Sequence, residues 1–133
     1  METILLVDDD EHVRPMIRDI LELSGYNVLD ASGGDRALEI VASHPDRIHL
    51  LLTDVMMPGL TGPELAHQLR PRRPGMKVLY MSGFTPADFR SRTIEFEPGA
   101  SILSKPFSVD GLTRRVNELL AADTAARSAT SRP

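Results

Sequence analysis

Five short runs of strand-forming residues recur along the chain, and four of them stop at a residue with chemistry to offer. Thr3-Ile4-Leu5-Leu6-Val7 runs into Asp8-Asp9-Asp10, Ile48–Thr53 into Asp54, Lys77–Met81 into Ser82, and Ser101–Ser104 into Lys105. The remaining run, Tyr26–Ala31, ends in Ser32 and offers little. The runs are continuously apolar rather than alternating, as expected of strands covered on both faces. Between them the apolar residues recur at spacings of three and four, the period of a helix face. Val13, Met16, Ile17, Ile20, Leu21 and Ser24 form the first such face, with Asp10 suited to an N-cap, Pro15 in the early turns and Gly25 as the stop. Further helices are expected over Asp35–Ser43 (Ala37, Leu38 and Val41 inward), Pro63–Arg70, somewhere between Pro86 and Glu97, and Val109–Ala122 (Leu112, Val116, Leu119 and Leu120 inward).

Strand and helix alternating five times imply an α/β fold, a parallel sheet with helices on both faces. Right-handed crossovers leave few topologies, and the flavodoxin-like doubly wound order 2-1-3-4-5 is the one expected. Residues 1–122 read as one domain. The tail 123–133 is Ala, Thr, Ser and Arg and reads as a frayed helix end or disorder.

Composition narrows the function. The chain has 133 residues and no Cys, so disulfides and thiolate metal sites are excluded. No aliphatic stretch, neither Ile4-Leu5-Leu6-Val7 nor Leu50-Leu51-Leu52, approaches the length needed to span a bilayer. No basic-then-apolar leader follows Met1, so the cytoplasm is the expected location and no membrane contact is expected. The net charge is -4; the tail from Asp123 carries two Arg and one Asp, leaving 13 basic and 18 acidic residues in the body, or -5. A negative body disfavours nucleic acid, whose backbone attracts basic surfaces. Arg70, Arg72 and Arg73, broken by Pro71 and Pro74, read as a solvated loop. His12, His44, His49 and His67 lack metal-ligand spacing.

In a sheet of this kind ligands bind beyond the carboxyl ends of the strands. That edge would gather Asp8, Asp9, Asp54, Ser82 and Lys105. Each has an ordinary explanation alone: an acid after a strand is usually a cap or turn residue, and a lone lysine is usually solvated. Their joint placement at successive strand ends is what calls for a function. Two like charges 4 Å apart repel by roughly 4 kcal/mol at an effective dielectric of 20, so such a cluster wants protons or a cation. Mg²⁺ suits one or two carboxylates plus a phosphate, and a phosphoryl group on one acid would supply the phosphate. Lys105 then offers an ammonium and Ser82 a hydroxyl for the remaining charge.

Leu5-Leu6-Val7-Asp8-Asp9-Asp10, Asp54-Val55-Met56-Met57-Pro58-Gly59, Met81-Ser82-Gly83 and Ser104-Lys105-Pro106-Phe107 closely resemble the receiver domain of two-component response regulators, over about residues 2 to 122. The resemblance implies that Asp54 accepts a phosphoryl group from a histidine kinase or histidine phosphotransfer domain and that the domain catalyses its own phosphorylation and dephosphorylation without being classed as an enzyme. It implies a Mg²⁺ site of Asp9 directly, Asp8 through bound water, Asp54 and the Met56 carbonyl. Ser82 matches the switch hydroxyl, Lys105 the lysine that pairs with phosphoryl oxygens, and Pro106 a proline whose preceding bond is commonly cis. The family's switch aromatic usually stands three residues before the lysine, where this chain has Ile102, so the movement is expected to rest on packing and on the loop carrying Phe84 to Phe89. An output protein is expected on the face of the Pro86–Glu97 helix, the fifth strand and the last helix.

Pro74–Thr85 is similar to receivers at the C-terminus of hybrid sensor histidine kinases, so an excised kinase domain and a stand-alone regulator are both open. The rival from another class is a Mg²⁺-dependent aspartate-based phosphohydrolase. Such enzymes need a second acid two residues after the nucleophile, where Met56 stands, and a cap insertion for which the chain is short. A third is an unphosphorylated interaction module, against which the complete acid, hydroxyl and lysine set argues.

Overall fold

Thr3–Val7 forms β1 with every residue buried, and its alternate side chains enter two separate cores. The computed structural model describes residues 2–83 and 94–130, with side chains to 121. After β1 come α1 (Val13–Leu23), β2 (Asn27–Ala31), α2 (Gly34–Ser43), β3 (Leu50–Asp54), α3 (Gly62–Leu69), β4 (Lys77–Ser82), β5 (Ser101–Ser104) and α4 (Val109–Thr130). All strand pairs are parallel, in the order β2-β1-β3-β4-β5. This is the expected doubly wound architecture. The helix expected between Pro86 and Glu97 lies outside the described residues as far as 93, and Ile94–Glu97 has no regular structure. Among the described residues no helix is long and apolar enough to cross a membrane.

The period of two along a strand explains the twin cores. Ile4 and Leu6, Leu50 and Leu52, Leu79 and Met81 pack against Ile17 and Leu21 of α1 and Leu112, Val116 and Leu120 of α4. Leu5 and Val7, Leu51, and Tyr80 face Ala37 and Val41 of α2 and Leu65, Ala66 and Leu69 of α3. Both faces being apolar, the strands read as unbroken hydrophobic runs.

Local details depart from expectation in instructive ways. Met16 was expected inward but is 54% exposed. The stripe of α1 centres on Ile17 and Leu21, and at 100° per residue Met16 lies about 120° from that centre. Asp10 does serve the start of α1, accepting from His12 N (2.8 Å) and Val13 N (3.2 Å), but it stands two residues before the N-cap position, which is His12. Helical backbone continues past Ala122 to Thr130. The arginines of 70–73 do more than meet solvent. Arg73 donates to the carbonyls of Asp46, His44 and Val41 at 2.7, 2.5 and 3.2 Å, closing the chain after α2. Arg70 pairs with Glu97, which also accepts from the hydroxyl of buried Tyr80 at 2.8 Å. Burial and Glu97 together hold that phenol well above its ordinary pKa. With Phe96 edge-on to Tyr80 at 5.0 Å, this cluster ties the end of α3, the middle of β4 and the segment before β5. His49 accepts at Nδ1 from Thr3 N (2.9 Å), a strand-end contact rather than a metal site.

A paired substitution tests this packing. Leu52→Ala, at a fully buried position central to the sheet, is expected to lower stability by about 2–5 kcal/mol. Leu23→Ala, 89% exposed, should change it by less than about 0.5 kcal/mol. Urea unfolding of both variants checks the contrast.

Candidate functional site

Strand parity and register bring the acids together. Asp8 continues the Ile4, Leu6 side of β1, and Asp54 continues the Leu50, Leu52 side of β3. Val7 pairs with Thr53, so the two carboxylates leave adjacent strands side by side. Ligand atoms of Asp8, Asp9 and Asp54 all lie within 4.8 Å of one another. Asp8 is fully buried, Asp54 partly buried and Asp9 exposed. Asp8 Oδ1 accepts from Asp10 N at 2.9 Å, while its buried Oδ2 accepts no hydrogen bond.

Lys105 arrives from beyond β5. Its Nζ lies 3.3 Å from Asp54 Oδ2 and 3.7 Å from Asp8 Oδ2. Its backbone N donates to Ser82 O at 2.7 Å, fastening the end of β5 to the end of β4, where Ser82 is buried. The Lys105–Pro106 bond is cis, as anticipated. Ile102, opposite Tyr80 in the β4–β5 register, packs half-buried against the α2 and α3 side. Phe84 and Phe89 lie outside the described residues.

The loop after Asp54 is held from below. Asp54 Oδ1 accepts from Val55 N (3.0 Å), and Gly62 N donates to Val55 O (2.8 Å), closing the 55–61 loop that carries half-buried Met56. A Cβ on Gly62 would stand 2.4 Å from Asp54 O, so only glycine permits this approach. Thr61 and Glu64 form a reciprocal capping box that starts α3, with Pro63 beside it. Its hydrogen bonds hold the Glu64 carboxyl below its ordinary pKa.

The structure therefore brings Asp8, Asp9, Asp54 and Lys105 together and sets Ser82 at the neighbouring strand end. The donor set fits a hard cation: three carboxylates converge, and one buried oxygen has no hydrogen-bond partner. No sequence signal marks Gly62, nor Arg14, whose Nη1 donates to the Asp8 carbonyl at 2.7 Å and whose Nε donates to Asp30 Oδ2 at 3.2 Å. A helix-surface arginine carries no local signal of its target, and a glycine shows its purpose only when the opposing carbonyl is known.

The sequence model of the response regulator receiver domain matches residues 4–117. The chain belongs to the response regulator receiver domain family. It is 35% identical over 118 residues to the sensor kinase CckA of Brucella abortus (strain 2308), covering 89% of this chain and 12% of that kinase. It is 33% identical to the response regulator receiver protein CpdR of the same organism, covering 92% of this chain and 99% of CpdR. The crystal structure of the receiver domain of the hybrid histidine kinase CckA superimposes with a TM-score of 0.75 at 34% identity, covering 89% of this chain and 98% of that one. A receiver domain of two-component systems is a regulatory phosphoacceptor module.

The electrostatics of this receiver's site predict a stability signature. Burial raises the Asp54 pKa, Lys105 opposes the rise, and the Asp8 charge adds to it. Asp8 is raised too, chiefly by burial, against the Asp10 N–H and Lys105. A carboxyl with a raised folded pKa binds more protons folded than unfolded, so stability falls as pH climbs from the ordinary carboxylate range through the raised value. Asp54→Asn removes that loss. Without divalent cation at pH 7, its melting temperature is expected to rise by ~3 °C or more, the equivalent of about 1 kcal/mol at this chain length. The gain should shrink as pH is lowered toward 4, and thermal melts at the two pH values check it.

Proposed function

We propose that this receiver accepts a phosphoryl group on Asp54 in a Mg²⁺-dependent step and that the modification alters its contacts with a partner protein. The observation that carries this reading is the convergence of Asp54 with Asp8 and Asp9 at one strand edge, with the Lys105 ammonium 3.3 Å from an Asp54 oxygen. One Asp54 oxygen attacks the phosphorus of the donor, a phosphohistidine or a small acyl phosphate. A new P–O bond forms as the donor's P–N or P–O bond breaks, and the leaving group keeps the electron pair. Lys105 stays beside the site and offsets charge on the phosphoryl oxygens. Ser82, whose carbonyl is tied to Lys105 N, supplies the hydroxyl. Asp9 and Asp54 with the Met56 carbonyl would hold Mg²⁺ directly, and Asp8 through water. The bound ion supplies charge neutralisation of acids and phosphoryl oxygens.

The folded unit is residues 1–122, with 123–133 as an appendage. A cytoplasmic histidine kinase or phosphotransfer domain is the donor in this reading. The output face in this reading is built from β5 and α4, because Ser82 and Lys105 end β4 and β5. Movement of either toward a phosphoryl group reaches that side first. A protein partner suits this face better than nucleic acid, given the negative body.

Acetyl phosphate with Mg²⁺, followed by intact mass and peptide mapping, tests the reading. One added phosphoryl group on the peptide holding Asp54 is expected, with none in Asp54→Asn and none in EDTA. Asp9→Asn should slow labelling more than Asp8→Asn, and Lys105→Ala should abolish the amide-shift response to beryllofluoride in β5 and α4. Wild-type labelling of Asp54→Asn would overturn the assignment.

A further inference from the structure

Beside the acids, on the side facing away from Lys105's strand, α1 and β2 meet in a half-buried ion-pair cluster that the phosphoacceptor chemistry does not use. Arg14 lies in the first turn of α1 with its side chain only 12% exposed. Its guanidinium serves three acceptors at once. Nη1 donates to the backbone carbonyl of Asp8 at 2.7 Å, Nε to Asp30 Oδ2 at 3.2 Å, and Nη2 to Glu11 Oε2 at 2.6 Å. Arg18, one turn on, braces the other Asp30 oxygen at 2.5 Å.

The geometry points to Arg14 as a positioning residue for the metal-binding acids, acting through the Asp8–Asp9 peptide and anchored by Asp30. Asp8 N donates to Ala31 O at 3.2 Å and its Oδ1 accepts from Asp10 N, so its carbonyl is the one backbone group left for a side chain to fix. A peptide unit is planar, so fixing the Asp8 carbonyl fixes the Asp9 nitrogen and the course of the chain to the Asp9 Cα. Asp9 itself is exposed and lies between residues held on either side. The Glu11 contact draws in the far end of the same loop. Because Asp30 and Glu11 already balance the guanidinium charge, the contribution is one of placement. Only a planar fork can serve three acceptors in these directions, which a lysine ammonium on its flexible stem cannot do. The inference rests on the phosphoacceptor reading and names a residue that tunes its metal affinity.

Titration of the full chain with Mg²⁺ alone, followed by the amide shifts of Asp9, Asp10 and Val55, tests it. Arg14→Met is expected to weaken the apparent Mg²⁺ Kd about tenfold, in line with other outer-shell partners of metal ligands. Arg14→Lys should fare no better, since it keeps charge and loses the fork. Asp30→Asn, which loosens the anchor with Arg14 in place, should give a smaller loss in the same direction and covers the case in which Arg14 variants fold poorly. Arg36→Ala removes an equal charge from an exposed α2 pair with Glu39 and should leave the Kd unchanged. At saturating Mg²⁺ the Arg14 variants should label with acetyl phosphate near the wild-type rate. A lowered melting temperature with unchanged Mg²⁺ Kd, or full rescue by Lys, overturns the proposal alone. Absence of any Mg²⁺ response in the wild type overturns the phosphoacceptor reading and this proposal with it.

Discussion

Two carboxylates leave neighbouring parallel strands side by side, one of them fully buried, and most of the site's architecture answers that repulsion. Like charges at such separations oppose one another by several kcal/mol at the dielectric of a protein edge. Lys105 stands against both Asp54 and Asp8, and the Asp10 N–H takes one Asp8 oxygen. What remains unsatisfied is one buried oxygen. A divalent cation or a proton would each relax that arrangement, and both would act on the same cause.

That tension is local because the sheet beneath it is not under strain. The two apolar cores fix strand order and register independently of the acids. Removing charge at the edge leaves those cores untouched, which is why a functional carboxylate can lower stability without endangering the fold. Natural sites commonly sit at such departures from local optimality. The tie between Lys105 N and Ser82 O has a different role: it fastens the ends of β4 and β5 to each other.

Much of this was legible in the sequence because continuous apolar strands with polar ends carry a strong signal. β1, β4 and β5 appear within a residue of where the runs place them, and Asp8, Asp9, Asp54 and Lys105 converge as the strand-end rule requires. What the sequence could not show were contacts between elements. The target of Arg14 is a carbonyl six residues back and an acid on another strand. Arg73, expected to meet solvent, closes a turn some thirty residues away in sequence. Met16 belongs to the apolar period of α1 but falls at its margin, and periodicity alone does not say where the stripe is centred.

The alternation of side chains along β3 has a consequence for how such a chain can vary. Asp54 reaches its site only because it shares parity with Leu50 and Leu52, and one residue added or lost within the strand would turn it to the opposite side of the sheet. Substitution inside β3 can be gradual, whereas a change in its length cannot. Diversification in length is therefore confined to places such as the end of α4, where helix can be added turn by turn without rotating any strand. Insertions and deletions should accordingly avoid the strands and collect at the far ends of helices and loops.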